Sequence, residues 1–155
     1  MSEKTLPLPT GRRSILHMGL AAAVLPVGMS SGAPPVRVEV WKDPSCGCCE
    51  GWVRHLHAAG FEATVRDVAD LQAIKAANGV PDALQSCHTA TVGGYVVEGH
   101  IPAADVRRLL AERPRAKGLA DPGMPPSSPG MDMPGTPYEV VLFGGPDGDR
   151  LWARH

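Results

Sequence analysis

The stretch Val36-Arg37-Val38-Glu39-Val40-Trp41-Lys42-Asp43-Pro44-Ser45-Cys46-Gly47-Cys48-Cys49 passes from an alternating pattern to a turn, and then to three thiols within four residues. From Val36 to Trp41 apolar and polar residues alternate with period two, the mark of a half-buried strand. Asp43-Pro44-Ser45 supplies turn residues. From Cys49 onward Trp52, Val53, Leu56 and Ala59 recur at three- and four-residue spacing. That spacing predicts a helix, and Gly60 stops it.

Working outward, Glu62 to Val68 reads as a second strand. Asp70 can cap a helix that carries Leu71, Ile74 and Ala77 on one face and closes at Asn78-Gly79. Thr89-Ala90-Thr91-Val92 and Tyr95-Val96-Val97-Glu98 flank Gly93-Gly94, which predicts a tight hairpin. Pro102 opens a helix bearing Val106, Leu109 and Leu110, and Pro114 ends it. The order is strand, helix, strand, helix, hairpin, helix. The first two strands need a crossover helix and are expected to be parallel. Four strands in one sheet, with helices on its faces and cysteines in the first strand-to-helix loop, make an α/β, thioredoxin-like domain over residues 34–117.

Residues 118–137 break the pattern. Six of these twenty are Pro and four are Gly, and Met124, Met131 and Met133 lie among them. The absence of periodicity predicts a loop or linker. Tyr138 to Phe143 then reads as a strand, Gly144 to Gly148 as a turn, and Leu151-Trp152 as a short returning strand. Residues 138–155 are thus expected to be a C-terminal β extension of the same domain.

On the other side, Arg12-Arg13 precede an apolar run from Ile15 to Met29, followed by Ser31-Gly32-Ala33. Residues 1–33 read as an export signal, and Arg12-Arg13-Ser14-Ile15-Leu16 resembles the twin-arginine type. Pro26 and Gly28 break the run, which is too short for a permanent membrane span. Export implies a periplasmic protein. The formal net charge of the 155 residues is −1. With no basic excess to neutralise phosphates, nucleic acid is excluded as the expected partner.

All four cysteines, Cys46, Cys48, Cys49 and Cys87, lie beyond the export signal. Thiolates are nucleophiles and soft ligands that favour monovalent copper, zinc and iron–sulfur clusters. In the expected fold the first loop and the start of the third strand meet at one end of the sheet, so Cys87 can face the triplet. The first helix's N-terminus lowers the cost of negative charge there. Gly47 is expected to let the backbone turn tightly. Four crowded thiolates repel, and several monovalent ions bridged by shared sulfurs relieve that crowding better than one, which suggests a multinuclear site. Ligand thiols lose their protons on binding, so affinity should fall as pH drops. Three other readings stand beside copper: structural disulfides, one tetrahedral zinc, and a dithiol–disulfide oxidoreductase using Cys46 and Cys49.

A longer set of residues carries a resemblance. It comprises Trp41 to Cys49 with Trp52, Gly79-Val80-Pro81, Ser86-Cys87-His88-Thr89-Ala90, and Gly94 to Ala103. Through these blocks the region Val36–Leu110, about half of the chain, resembles the small periplasmic copper-resistance proteins of the CopG type. The resemblance implies a thioredoxin-like fold, a copper or other soft-metal site at the four cysteines, and a role in copper handling beside other periplasmic copper proteins. It also implies that some members perform thiol redox chemistry. Thioredoxins themselves carry two cysteines and a cis-proline before the third strand. Here Cys48 intrudes between Cys46 and Cys49, and Ser86-Cys87-His88-Thr89 has no proline, which favours ligation over exchange.

Other residues have plainer roles. His88 can ligate or tune a metal beside Cys87, or serve as a structural hydrogen-bonding residue. His100 is expected at a turn or cap, with a metal-ligand role as the lesser reading. His55 and His57, two apart on a helix, share no face. Met124, Met131 and Met133 either offer soft thioethers or pack on the surface. Trp41 and Trp52 are expected to wall the sulfurs from water, and Lys42 and Asp43 to be solvated.

Overall fold

Strand β1 (Val36–Lys42) alternates as expected, with Val38, Val40 and Lys42 inward and Arg37 and Glu39 outward. The computed structural model describes residues 34–131 and 133–155. The expected export signal over residues 1–33 lies outside the described residues. Helix α1 (Gly47–Ala58) carries the chain across to β2 (Phe61–Asp67), which runs parallel to β1 in the register Val36 to Phe61 through Lys42 to Asp67. Helix α2 (Leu71–Ala77) is capped by Asp70, whose carboxylate accepts the Ala73 N–H at 2.9 Å. Strands β3 (His88–Val92) and β4 (Tyr95–Glu98) form the hairpin around Gly93-Gly94, and β3 also pairs antiparallel with β1. Helix α3 (Ala103–Glu112) follows Pro102 and ends at Arg113 in the left-handed region.

The proline- and glycine-rich segment departs from expectation at its start. Gly118–Ala120 is not loop but a strand, β5, parallel to β4 and antiparallel to β6 (Glu139–Phe143). Strand β7 (Arg150–Arg154) completes the hairpin with β6. The C-terminal extension therefore continues the main sheet, which has seven strands in the order β2-β1-β3-β4-β5-β6-β7. All three residues of β5 are buried. A strand buried on both faces shows no alternation, and one of three residues is too short to show a period at all. A Cβ at Gly118 would collide with the carbonyl of Val96, so the close approach of β5 to β4 requires glycine.

The core joins Val38, Val40, Trp52, Leu56, Leu109 and Leu119, each at most 1% exposed. Lys42 corrects a second expectation. It is 4% exposed rather than solvated, and its Nζ lies 3.1 Å from the Asp67 carboxylate. At the last inward position of β1 the flexible stem is buried while the ammonium finds a partner on β2. Among the described residues no helix is long and apolar enough to cross a membrane.

Candidate metal centre

The end of β1 lies against the start of β3, with Lys42 opposite His88. The chain leaving β1 turns directly into α1, so Cys87, just before β3, meets the first turn of that helix. Cys46 is the N-cap of α1, and its own side chain makes no capping hydrogen bond. Cys48 and Cys49 stand in the first turn, where unpaired N–H groups and the helix dipole favour negative charge. Gly47 corrects the sequence reading. It opens α1 without a left-handed φ, and the space where a Cβ would sit is open.

The four sulfurs lie within 4.8 Å of one another. Cys46 and Cys49 are joined in a disulfide, while Cys48 and Cys87 keep free thiols. Cys48 Sγ is 3.5 Å from Cys46 Sγ, and Cys87 Sγ is 3.7 Å from Cys49 Sγ. Two of the expected ligands are thus tied up in this form, and uptake of two electrons and two protons would release them.

Two histidines face the same sulfur: His88, read from the sequence as a ligand or tuner or as a structural residue, and His100, read chiefly as a turn or cap residue. His100 Nε2 is 3.0 Å and His88 Nδ1 3.4 Å from Cys87 Sγ. Both residues are fully buried. Burial holds the His88 imidazole well below its ordinary pKa, and holds that of His100 low as well. The His88 ring packs tilted against Trp52, with ring centroids 4.3 Å apart, and the Trp52 indole donates to the Ile101 carbonyl at 2.8 Å. Trp52 itself is fully buried. His88 Nε2 is buried with no hydrogen-bond partner. Cys49, Cys87, His88 and His100 also place ligand atoms within 4.8 Å of one another.

Beneath the cysteines lie buried acids. Asp121 Oδ1 accepts the His100 backbone N–H at 2.9 Å and the Ser86 hydroxyl at 3.4 Å. Burial pushes its carboxyl up to about 7, against those hydrogen bonds, which pull it down. Its Oδ2 has no partner. Burial, with the charges of Cys48 and Asp121, pushes the Cys87 thiol up to about 12. Glu98 is fully buried and receives Lys75 Nζ at 2.5 Å, the Ser86 N–H at 2.7 Å and the Thr89 hydroxyl at 2.7 Å. Burial raises its carboxyl pKa, and Lys75 opposes that. Asp121, Glu98 and Lys75 escaped sequence reading. The one available signal was an unpaired Glu closing an otherwise apolar strand.

His55 and His57 do separate jobs, as expected. His55 Nε2 accepts the Ala103 N–H at the start of α3, and His57 Nε2 accepts the Ala63 N–H. Met124 and Met133 are exposed.

The donor set suits a soft cation. Thiolates prefer monovalent copper, zinc or iron. With metal–thiolate bonds of about 2.3 Å, two ligands of one ion stand at most about 4.6 Å apart. The sulfur spread fits one four-coordinate ion after small adjustments, or a few ions bridged by shared sulfurs.

Comparison with known proteins agrees with this chemistry. A family model described as "Protein of unknown function, DUF411" matches residues 84–131, a span that includes Cys87, His100 and Asp121. Two solved structures described as copper resistance protein copG, form 2 and form 1, are 42% and 43% identical to this chain. Each alignment covers 78% of this chain and 98% of that one, with a TM-score of 0.73. No curated protein matches.

Proposed function

Since this chain belongs to the CopG family of copper resistance proteins, we propose that it binds monovalent copper through the thiolates of Cys46, Cys48, Cys49 and Cys87. One observation carries the reading. Four sulfurs from stretches 38 residues apart converge to within 4.8 Å of one another. Loading starts from the dithiol form, in which an external dithiol reductant has opened the Cys46–Cys49 disulfide by thiol–disulfide exchange and left as its own disulfide. The positive end of α1 offsets thiolate charge, and the buried Trp52 and His88 close the inner side against water. Several bridged ions relieve sulfur crowding better than one, so the site is proposed to be multinuclear. The role is copper detoxification, storage or delivery after export to the periplasm, beside other copper-handling proteins there.

The test is anaerobic titration of reduced protein with cuprous ion against a chromophoric competitor, with absorption spectroscopy at the copper edge. Sulfur-dominated ligation with fixed stoichiometry is expected. Cys87→Ser should weaken binding by more than about 100-fold, beyond what loss of an outer partner costs. Reduced wild-type protein that takes up no copper, or prefers zinc, would overturn the reading.

A second reading is favoured by the disulfide itself. Cys46 and Cys49 carry the spacing of a thiol–disulfide oxidoreductase at a helix start. In that reaction the Cys46 thiolate attacks a substrate disulfide, Cys49 resolves the mixed disulfide, and the substrate leaves as a dithiol. Turnover of a test disulfide that dies with Cys46→Ser and survives Cys87→Ser would support it.

A further inference from the structure

We propose that Gly51 and the strap formed by residues 121–131 fix the tautomer of His100, so that the bare Nε2 of its ring faces Cys87. The Pro129 carbonyl can only accept, and it lies 2.8 Å from His100 Nδ1, so Nδ1 carries the hydrogen. A neutral imidazole has one hydrogen, which leaves Nε2 with a lone pair. That atom is 3.0 Å from Cys87 Sγ, so the thiol donates to it. The backbone of His100 is held separately, through its N–H to Asp121 Oδ1. The strap therefore grips this residue at both ends.

Two glycines put the Pro129 carbonyl in place. A Cβ on Gly51, inside α1, would lie 2.6 Å from the Gly130 oxygen and 2.8 Å from its Cα. A Cβ on Gly130 would collide with the Trp52 backbone nitrogen, and Gly130 has a φ of +87°. Helix and strap touch backbone to backbone, where only glycine fits. Gly51 weakens α1 by roughly 1 kcal/mol relative to alanine, so its presence there is explained by the contact and not by helix formation. Ser128, 1% exposed, ties the strap to itself through its N–H and its hydroxyl on the Pro125 carbonyl. Gly51 is thus a positioning residue for the sulfur site that touches none of the sulfurs. Only the copper arm of the test below rests on the function proposed above.

The experiment is nitrogen-15 NMR of the imidazoles in the metal-free, full-length protein. In wild type, His100 should show a protonated Nδ1 and an unprotonated Nε2. Gly51→Ala should give mixed tautomers and faster hydrogen exchange at the Met131 amide, which donates to Ser128. Gly130→Ala should do the same from the strap side. Gly123→Ala shares a positive φ, but nothing lies within 4 Å of its Cβ, and it should leave the tautomer unchanged. A wild-type His100 protonated on Nε2 overturns the proposal. So does an unchanged tautomer in either folded clash variant, or a tautomer lost equally in Gly123→Ala. Gly51 and Gly130 report the same contact from opposite sides, so if one clash variant fails to fold the other decides, beside the wild-type spectrum. In the copper arm, Gly51→Ala should weaken cuprous binding by about 10- to 100-fold. Wild-type protein that ignores copper would sink the metal reading while the tautomer result stood.

Discussion

Two buried polar clusters share Ser86, one through its N–H and the other through its hydroxyl. In the first, Lys75, Glu98 and Thr89 leave no buried side-chain atom without a partner. In the second, Asp121 Oδ2 and His88 Nε2 are both orphaned, and a free thiol lies against two buried histidines. Buried polar atoms are nearly always paired; of the three orphaned side-chain atoms among the described residues, two lie here and the third, Trp152 Nε1, lies in β7. The contrast separates scaffold from site. The satisfied cluster clamps the residue before Cys87, and the unsatisfied one surrounds Cys87 itself.

The largest expected effect lies in the satisfied cluster. Lys75→Met takes away the cation that faces buried Glu98 and leaves it only the Ser86 N–H and the Thr89 hydroxyl, and should cost about 3–5 kcal/mol in urea denaturation. The double variant Lys75→Met with Glu98→Gln removes both charges while keeping an acceptor for Ser86, and should return to within about 1 kcal/mol of wild type. A loss under about 1 kcal/mol in the single variant would erase the distinction between the clusters.

Next in size is a pH effect in the unsatisfied cluster. The folded pKa of Asp121 is raised to about 7, from 3.8. Below pH 4 both folded and unfolded chains hold this proton. As pH rises from about 4 to about 7 only the unfolded chain releases it, so stability falls across that window and levels off above it. Asp121→Asn should flatten the fall by about 2–4 kcal/mol, read from urea midpoints at several pH values. An unchanged slope would place the burden on other groups.

The smallest effect sharpens the contrast from the other side. His88→Phe removes the orphan Nε2 while keeping a ring against Trp52. Stability should be no lower than wild type and rise by up to about 1 kcal/mol, while cuprous affinity drops. If His88→Phe is as damaging as Lys75→Met, both clusters are scaffold.

Much of this was legible in the chain, for identifiable reasons. β1, α1, the β3–β4 hairpin and the Asp70 cap each carry a local signal, and local signals are what a sequence displays. Cys46, Cys48 and Cys49 announced themselves by spacing, and Cys87 by the fold that brings β3 beside β1. The rest depends on contacts between distant residues. β5 owes its state to pairing with β4 and β6, and its three residues have no room for a pattern. Glu98 reads as an ordinary strand end until Lys75, 23 residues earlier, is seen to reach it. His100 reads as a turn residue because its partners, Cys87 and Pro129, are 13 and 29 residues away. Lys42 reads as solvated because a charge near a turn usually is.

The seam at Gly118 reaches further than its size. Three residues stitch the first four strands to the last two, and one missing side chain lets the stitches close. A methyl group there would part the fabric between β4 and β5, setting loose the hairpin downstream and slackening the anchorage of everything threaded between. The sulfur corner, at another margin of the sheet, would feel a change that never came near it.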